Sequence, residues 1–354
     1  MKKIKIGKKV ISNSNPTYFI ADIASNHDGS LTKAKELIHL AAESGADAAK
    51  FQNFYAKTLV SDFGFKNLNK MSSHQNKWKK SVYETYKDNE ISLNWTSELV
   101  KVCKKNNIDY FTASYDMSIN SYLNKYVTAW KIGSGDITWH DHIIKMAKTN
   151  KPILIATGAS DIHEIEKIYK KTIKVNKKLV LMQCNTNYTN EIENFKYINL
   201  NVLKLFKKKF KDVILGLSDH TSGHETVLGA IALGARVIEK HFTDSNLRNG
   251  PDHKFSMNPK SWQQMIEASR TLEKAMGNNI KKVEDNEKET VILQRRSIRA
   301  KDNIKKNQII KKKDFEFLRP CPDDALPVYD FNKILNKKSK FSIKKGDYIK
   351  NKFR

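Results

Sequence analysis

The sequence is short of cysteine, of long apolar runs and of acid. Its three cysteines, Cys103, Cys184 and Cys321, are far apart and odd in number. That excludes a disulfide framework and a cysteine-based zinc site. No apolar run approaches the ~20 residues that a membrane span needs. The basic start, 1–10, is not followed by the apolar stretch and small-residue cleavage site of a secretory signal. These absences predict a reduced, cytoplasmic protein with no membrane partner. The shortage of acid is the largest: 38 Asp and Glu face 64 Lys and Arg, a net charge of +26. A lysine-rich surface set by genome composition, attraction of anionic small substrates and nucleic-acid binding all fit that number. The last needs a basic stripe with interleaved aromatics or a known motif. The lysines are scattered and no such motif occurs, so no nucleic-acid partner is expected.

What is present is a repeated pattern. The chain has 354 residues, 39% of them hydrophobic, room for one domain of ~250 residues and a small one. Short apolar runs occur at 18–24, 48–52, 109–115, 130–133, 152–157, 179–185, 213–218 and 236–242. Helical spacing fills 33–44, 97–105, 140–148, 161–175, 195–210, 223–233 and 259–276. Strands that alternate with helices imply a parallel sheet. About eight such units in ~260 residues predict an α/β fold, a closed (β/α)8 TIM barrel. The stretch 53–94 is too long for an ordinary connection. With Tyr55, Phe63, Phe65, Trp78 and Tyr83, it reads as an insertion that covers part of the mouth or as a surface loop. The expected organisation is a barrel at 1–280, a linker with a helical part at 281–296 and a small β-rich domain at 297–354. Strand candidates in the last are 297–300, 308–310, 315–318 and 347–349, with turns at 305–307 and 344–346.

In a barrel of this type, catalytic groups sit at the C-terminal ends of the strands. Seven of the runs end in such groups: Asp22, Asn26 and His27; Lys50 and Gln52; Lys131, Ser134 and Asp136; Thr157; Gln183, Asn185 and Thr186; Ser218, Asp219 and His220; Glu239 and His241. Residues two apart share a face of a strand. Ser218 therefore goes with His220, and Glu239 with His241, while Lys240 faces away. His220, Glu239 and His241 on adjacent strands make a three-ligand candidate for Mn2+, Fe2+, Co2+ or Zn2+. Lys50 and Lys131 end apolar runs, where an unpaired lysine is costly. They are either buried ion pairs or a cationic pair for phosphate and carboxylate. In the second reading Ser134, Thr157 and Ser218 add donors for an oxyanion.

The segments IADIASNHDGS, AAKFQ, WKIGSGD, LMQCNTNYT, GLSDHTSGHE, ARVIEKHFT and GPDHKFSMNP run in order from Ile20 to Pro259. They resemble the sialic acid synthase (N-acetylneuraminate synthase) family. RRSIRAKDNIKKNQII and FLRPCPDDAL resemble the antifreeze-like (SAF, β-clip) domain that ends those synthases. The resemblance implies condensation of phosphoenolpyruvate with an N-acylated amino-hexose aldehyde, N-acetylmannosamine or a 2,4-diacetamido relative. The product is a nine-carbon 2-keto-3-deoxy sugar acid of the sialic, pseudaminic or legionaminic type, plus phosphate. It also implies a divalent metal at His220, Glu239 and His241, Mn2+ foremost, with Mg2+ or Co2+ as alternatives. Lys50, Lys131, Ser134, Thr157, Thr186 and Ser218 match positions around phosphoenolpyruvate. Gln52, Tyr188 and Asp252 match positions near the sugar. Asp22, Asp136, His220 and His241 carry the chemistry. Arg319 matches an arginine supplied by a partner subunit in a domain-swapped homodimer.

Three positions depart from the pattern. Asp22 and Asp136 stand where many relatives have glutamate, which sets each carboxylate back by ~1.5 Å. Thr186 stands where asparagine is common. These departures bear on the acceptor sugar more than on the reaction class. Two other classes compete: a metal-dependent aldolase or hydrolase on the same barrel, and a non-enzymatic basic binding protein.

Overall fold

The computed structural model describes residues 2–68, 75, 78–189 and 191–353. The chain divides into two units, Met1–Gly277 and Asn278–Arg354. The first begins with an antiparallel hairpin, β1 (Lys3–Ile6) and β2 (Lys9–Ser12). A closed barrel follows: β3 (Tyr18–Asp22), β4 (Ala48–Asn53), β5 (Asp109–Ser114), β6 (Trp130–Ile132), β7 (Ile153–Ala156), β8 (Leu179–Cys184), β9 (Ile214–Asp219) and β10 (Val237–His241). Every neighbouring pair is parallel, and β10 closes on β3. Each of the eight expected runs is one of these strands. Helices bury the outer faces of the strands, so both sides are covered and the strands read as near-continuous apolar runs.

Local signals set the helix ends. Asp161 caps Ile162–Val175 and exchanges a capping box with Glu164. Asn258 caps Pro259–Met276, and Pro259 sits in its first turn, where its missing N–H has no cost. Ser30 caps Leu31–Glu43.

The hairpin is a feature that the apolar runs did not announce. Its strands are four residues long and rich in lysine. Ile4, Ile6 and Ile11 nevertheless join Tyr18, Ile20, Phe111, Leu154 and Val180 in one buried cluster inside the barrel. The hairpin therefore plugs the N-terminal end. Burying three isoleucines contributes roughly 5–9 kcal/mol as an upper bound. Gly7 makes the turn at φ +51°, and a Cβ there would lie 2.0 Å from the Asp109 carboxylate, so no larger residue fits.

The stretch after β4 holds short helices at Ala56–Leu59, Asp62–Lys66 and Val82–Asp88. Part of this expected insertion, 69–74, 76 and 77, lies outside the described residues.

The second unit contains β11 (Ser297–Ala300) paired antiparallel with β12 (Phe315–Leu318). The expected strands at 308–310 and 347–349 make only isolated bridges, Ile309 with Lys338 and Tyr348 with Arg299. Its own core includes Ile298, Ile310, Phe315, Leu326, Phe331 and Ile349. The expected linker belongs to this unit and holds the helix Lys288–Gln294. Among the described residues no helix is long and apolar enough to cross a membrane.

Candidate active site

Register decides which side chains meet inside the barrel. His241 is level with Asp22, Asp22 with Lys50, and Glu239 with Ser218. The resulting floor is charged and dry. Lys50 Nζ lies 2.7 Å from Asp22 Oδ2 and 3.6 Å from Glu239 Oε1. Lys131 Nζ lies 3.2 Å from the same Glu239 oxygen, and Ser218 donates to it at 3.3 Å. All four charged side chains are at most 5% exposed. Burial alone would lower the Lys50 pKa, but Asp22 and Glu239 outweigh it and raise the value. The two lysines thus sit where an oxyanion pocket was expected. They are ion-paired, two cations against two carboxylates.

This pairing bears on the expected metal set of His220, Glu239 and His241. Among the described residues no group of three or more His, Cys, Asp and Glu side chains is placed to hold a metal ion. One Glu239 oxygen is shared by the two lysines and Ser218, and the other, Oε2, is buried without a hydrogen-bond partner. The two imidazoles remain together, with ring centroids 5.4 Å apart. The His220 Nδ1–H donates to the Asn185 carbonyl at 2.8 Å, so in the neutral ring the lone pair is on Nε2. His241 Nδ1 is buried without a hydrogen-bond partner and lies 4.0 Å from Asp252 Oδ2. Burial, then the neighbouring His220 and Lys50, hold the His241 pKa well below its usual value, so the ring is neutral. Two imidazoles beside two orphaned buried atoms, His241 Nδ1 and Glu239 Oε2, fit an ion that takes its remaining ligands from substrate and water.

Above this floor opens a cavity of about 280 Å³. Gln52, Ser134, Asp136, Tyr188, His241 and Asp252 line it, as do Phe54, Trp78, Tyr86 and Tyr115. Asp136 follows β6 in a single turn, Ser134–Asp136. Burial raises its pKa to about 6. Burial likewise raises Asp252 to about 6, against the opposing hydrogen bond from the Ser25 N–H. Gln52 Nε2 donates weakly to Asp22 at 3.5 Å. Tyr188 packs on His220, with centroids 4.3 Å apart.

The other expected residues fall into place around these. The Thr157 hydroxyl is spent on the Met182 carbonyl at 2.9 Å. Gly158 N–H donates to Ser134 Oγ at 3.0 Å. A Cβ on Gly158 would lie 2.6 Å from the Thr186 methyl, so Thr186 and Ser134 flank that glycine. Asp219 points outward instead, where it pairs with Lys240 and with the Thr221 and Thr226 hydroxyls. Arg319 follows β12 in the C-terminal unit. Phe54, Tyr86 and Tyr115 were missed, and so was Cys184, which hydrogen-bonds His220. Phe54 stands one residue beyond β4 and Tyr115 one beyond β5, the positions that a search of strand ends for aromatics would have found.

Comparison with known proteins now adds a family to this geometry. The NeuB family model matches residues 37–281, and the SAF domain model matches residues 295–353. The chain belongs to the NeuB family. It is 34% identical over 338 residues to the N,N'-diacetyllegionaminic acid synthase of Campylobacter jejuni, covering 94% of this chain and 99% of that one. It is 28% identical over 341 residues to the N-acetylneuraminate-9-phosphate synthase of Homo sapiens, covering 96% and 93%. The crystal structure of an N-acetylneuraminic acid (sialic acid) synthetase from Leptospira borgpetersenii, in complex with citrate, superposes with a TM-score of 0.71. It is 26% identical, and the match covers 82% of this chain and 95% of that one. The NeuB relatives are thus enzymes of the sialic acid synthase type.

Proposed function

We propose that this NeuB-family chain condenses phosphoenolpyruvate with an N-acylated amino-hexose aldehyde, N-acetylmannosamine or a 2,4-diacetamido relative. The observation that carries the reading is the paired-lysine floor beneath a cavity lined by two carboxyls of raised pKa. Phosphoenolpyruvate lies on the floor. Its phosphate and carboxylate meet Lys50 and Lys131, with Ser134, Thr186, Ser218 and the backbone at Thr157 as further donors. The acceptor sits above it, against Gln52, Tyr188 and Asp252. C3 of phosphoenolpyruvate attacks the aldehyde carbon, and a proton reaches the new alkoxide. Water adds at C2, and phosphate leaves with cleavage of its C–O bond. Asp136 and Asp252 hold or release a proton near neutral pH, as acid–base groups in these steps require. Asp22 shares a proton-accepting position beside His241 Nε2, 3.6 Å away.

His220 and His241 would hold a divalent metal, Mn2+ or alternatively Mg2+ or Co2+, which when bound supplies Lewis-acid polarisation of the aldehyde oxygen. The floor itself supports this. Its lysines are already offset by Asp22 and Glu239, so an incoming trianion finds little net positive charge in the protein alone. A second subunit completes the proposal, with Arg319 of the partner subunit closing over the acyl group in a domain-swapped homodimer.

The test is phosphate release from phosphoenolpyruvate with Mn2+ and a panel of amino-hexose aldehydes, with the product identified by mass. The expected product is the acceptor plus the three carbons of pyruvate. No phosphate release with any member would refute the reading, and turnover without phosphoenolpyruvate would replace it with an aldolase.

A further inference from the structure

The connection from β10 to the helix Pro259–Met276 contains no regular element longer than the turn His253–Phe255. A connection of that length is mobile unless something holds it. Its ends are secured: Met257 bridges Phe242, and Asn258 caps the helix. Its middle is gathered around His253. Asn246 Nδ2 donates to the His253 carbonyl at 2.9 Å and to the Ser256 carbonyl at 2.6 Å. The His253 ring is fully buried, and both of its nitrogens have partners. Nε2 lies 2.9 Å from Asp28 Oδ1, and Nδ1 lies 2.6 Å from Thr243 Oγ1. A carboxylate only accepts, so the Nε2–H donates to Asp28, and in the neutral ring Nδ1 accepts from the Thr243 hydroxyl. Gly250 completes the fit, since a Cβ there would lie 2.6 Å from His253 Cδ2.

Asp28 belongs to the connection after β3. That connection bends at Ala24 with φ +44°, and again at Asp28 and Gly29 with φ +51° and +70°. Non-glycine residues keep this conformation only where their surroundings impose it. Between the bends, the Ser25 N–H donates to Asp252 Oδ2 at 3.1 Å. Ser256 Oγ donates to the Asp252 carbonyl at 2.7 Å and accepts from Asn26 Nδ2 at 2.9 Å. Asp252 Oδ2 is thereby carried to 4.0 Å from His241 Nδ1. Phe255, on the same turn, packs on the His241 ring with centroids 5.0 Å apart. We infer that His253 is a positioning residue. With Asp28 and Thr243 it clamps the connections after β3 and β10 together, and so sets the Asp252 carboxyl in the mouth beside His241. His253 itself is not among the residues that line the cavity, so it acts through Asp252. The inference rests on the reading that Asp252 meets the acceptor, and it adds the group that holds Asp252 there.

The experiment uses the full chain with Mn2+, phosphoenolpyruvate and whichever of N-acetylmannosamine and its 2,4-diacetamido relative releases phosphate. His253→Ala should raise the acceptor KM by about tenfold and leave the phosphoenolpyruvate KM within about twofold. His253→Gln, which keeps a donor for Asp28, should recover most of that loss. In an Asp252→Ala chain, the same His253→Ala change should cost less than about twofold, because the group it positions is gone. Equal rises in both KM values, or the same loss with and without Asp252, would overturn the inference. Amide exchange gives a readout free of turnover. His253→Ala should speed exchange in 24–30 and 244–257 by about tenfold or more, with the strands β5 to β8 unchanged. If the parent chain releases no phosphate, the reaction reading fails and exchange alone decides the clamp: faster exchange upholds it, and unchanged exchange overturns it. Where His253→Ala does not fold, Gly250→Ala pushes on the same ring and carries the same expectations at about threefold.

Discussion

A glutamate shared by two buried lysines cannot be neutralised without cost: Lys50 keeps Asp22, but Lys131 loses its carboxylate. Glu239→Gln should therefore destabilise the metal-free, chelator-treated protein by about 3 kcal/mol, in line with the loss of one partner from a buried pair. Urea unfolding measures it, and an unchanged midpoint would show that the lysines are satisfied without this carboxylate. A pure metal ligand would behave otherwise, since its loss would be felt only when the ion is bound. The same residue shows what the sequence discloses. Side-chain alternation put Glu239 on the inner face, opposite in sense to Lys240, and the structure agrees. Alternation does not say which neighbour a side chain will choose. That depends on the stagger between β10, β3 and β4, which no local pattern encodes. The lysines that Glu239 faces were therefore not legible, while the pairing of His220 with His241 was, because both end consecutive inner strands.

At the scale of elements, the barrel strands were legible because burial on both faces removes polar residues from them. The β1–β2 hairpin was not, because its buried apolar residues are three isoleucines among lysines that face solvent. The loops after the strands are where small residues carry function without any periodic signal. Gly158 lies between β7 and the next helix, where a Cβ would meet Thr186, Ser134 and Cys184 at once. Its φ is not positive, so alanine brings no backbone strain, only a Cβ 2.6 Å from Thr186 and 2.9 Å from Ser134. Gly158→Ala should thus raise the KM for phosphoenolpyruvate by about tenfold through displacement of those donors, with far less effect on the acceptor KM. Equal changes in both KM values would place the damage elsewhere.

At the scale of the whole molecule, the proposed exchange of Arg319 between subunits has a signature that does not depend on seeing the dimer. Arg319→Ala and His241→Ala should each be nearly inactive alone. Mixed after dissociation, half of the dimers would carry both chains, and each such dimer would own one intact site, so activity should return to about a quarter of the parent's. A mixture no better than its parts would confine the site to a single chain.

The hairpin plugs the lower end of the barrel, so among the described residues the floor is approached from the cavity side. On the proposed reaction, a molecule resting on the floor would arrive first and leave only once the cavity above it empties. Under the same proposed reaction, an acceptor entering early would bar the way to phosphoenolpyruvate, and the sugar acid would depart before phosphate. A short basic segment near the start of the chain would thereby impose a queue on traffic at the opposite end of the barrel.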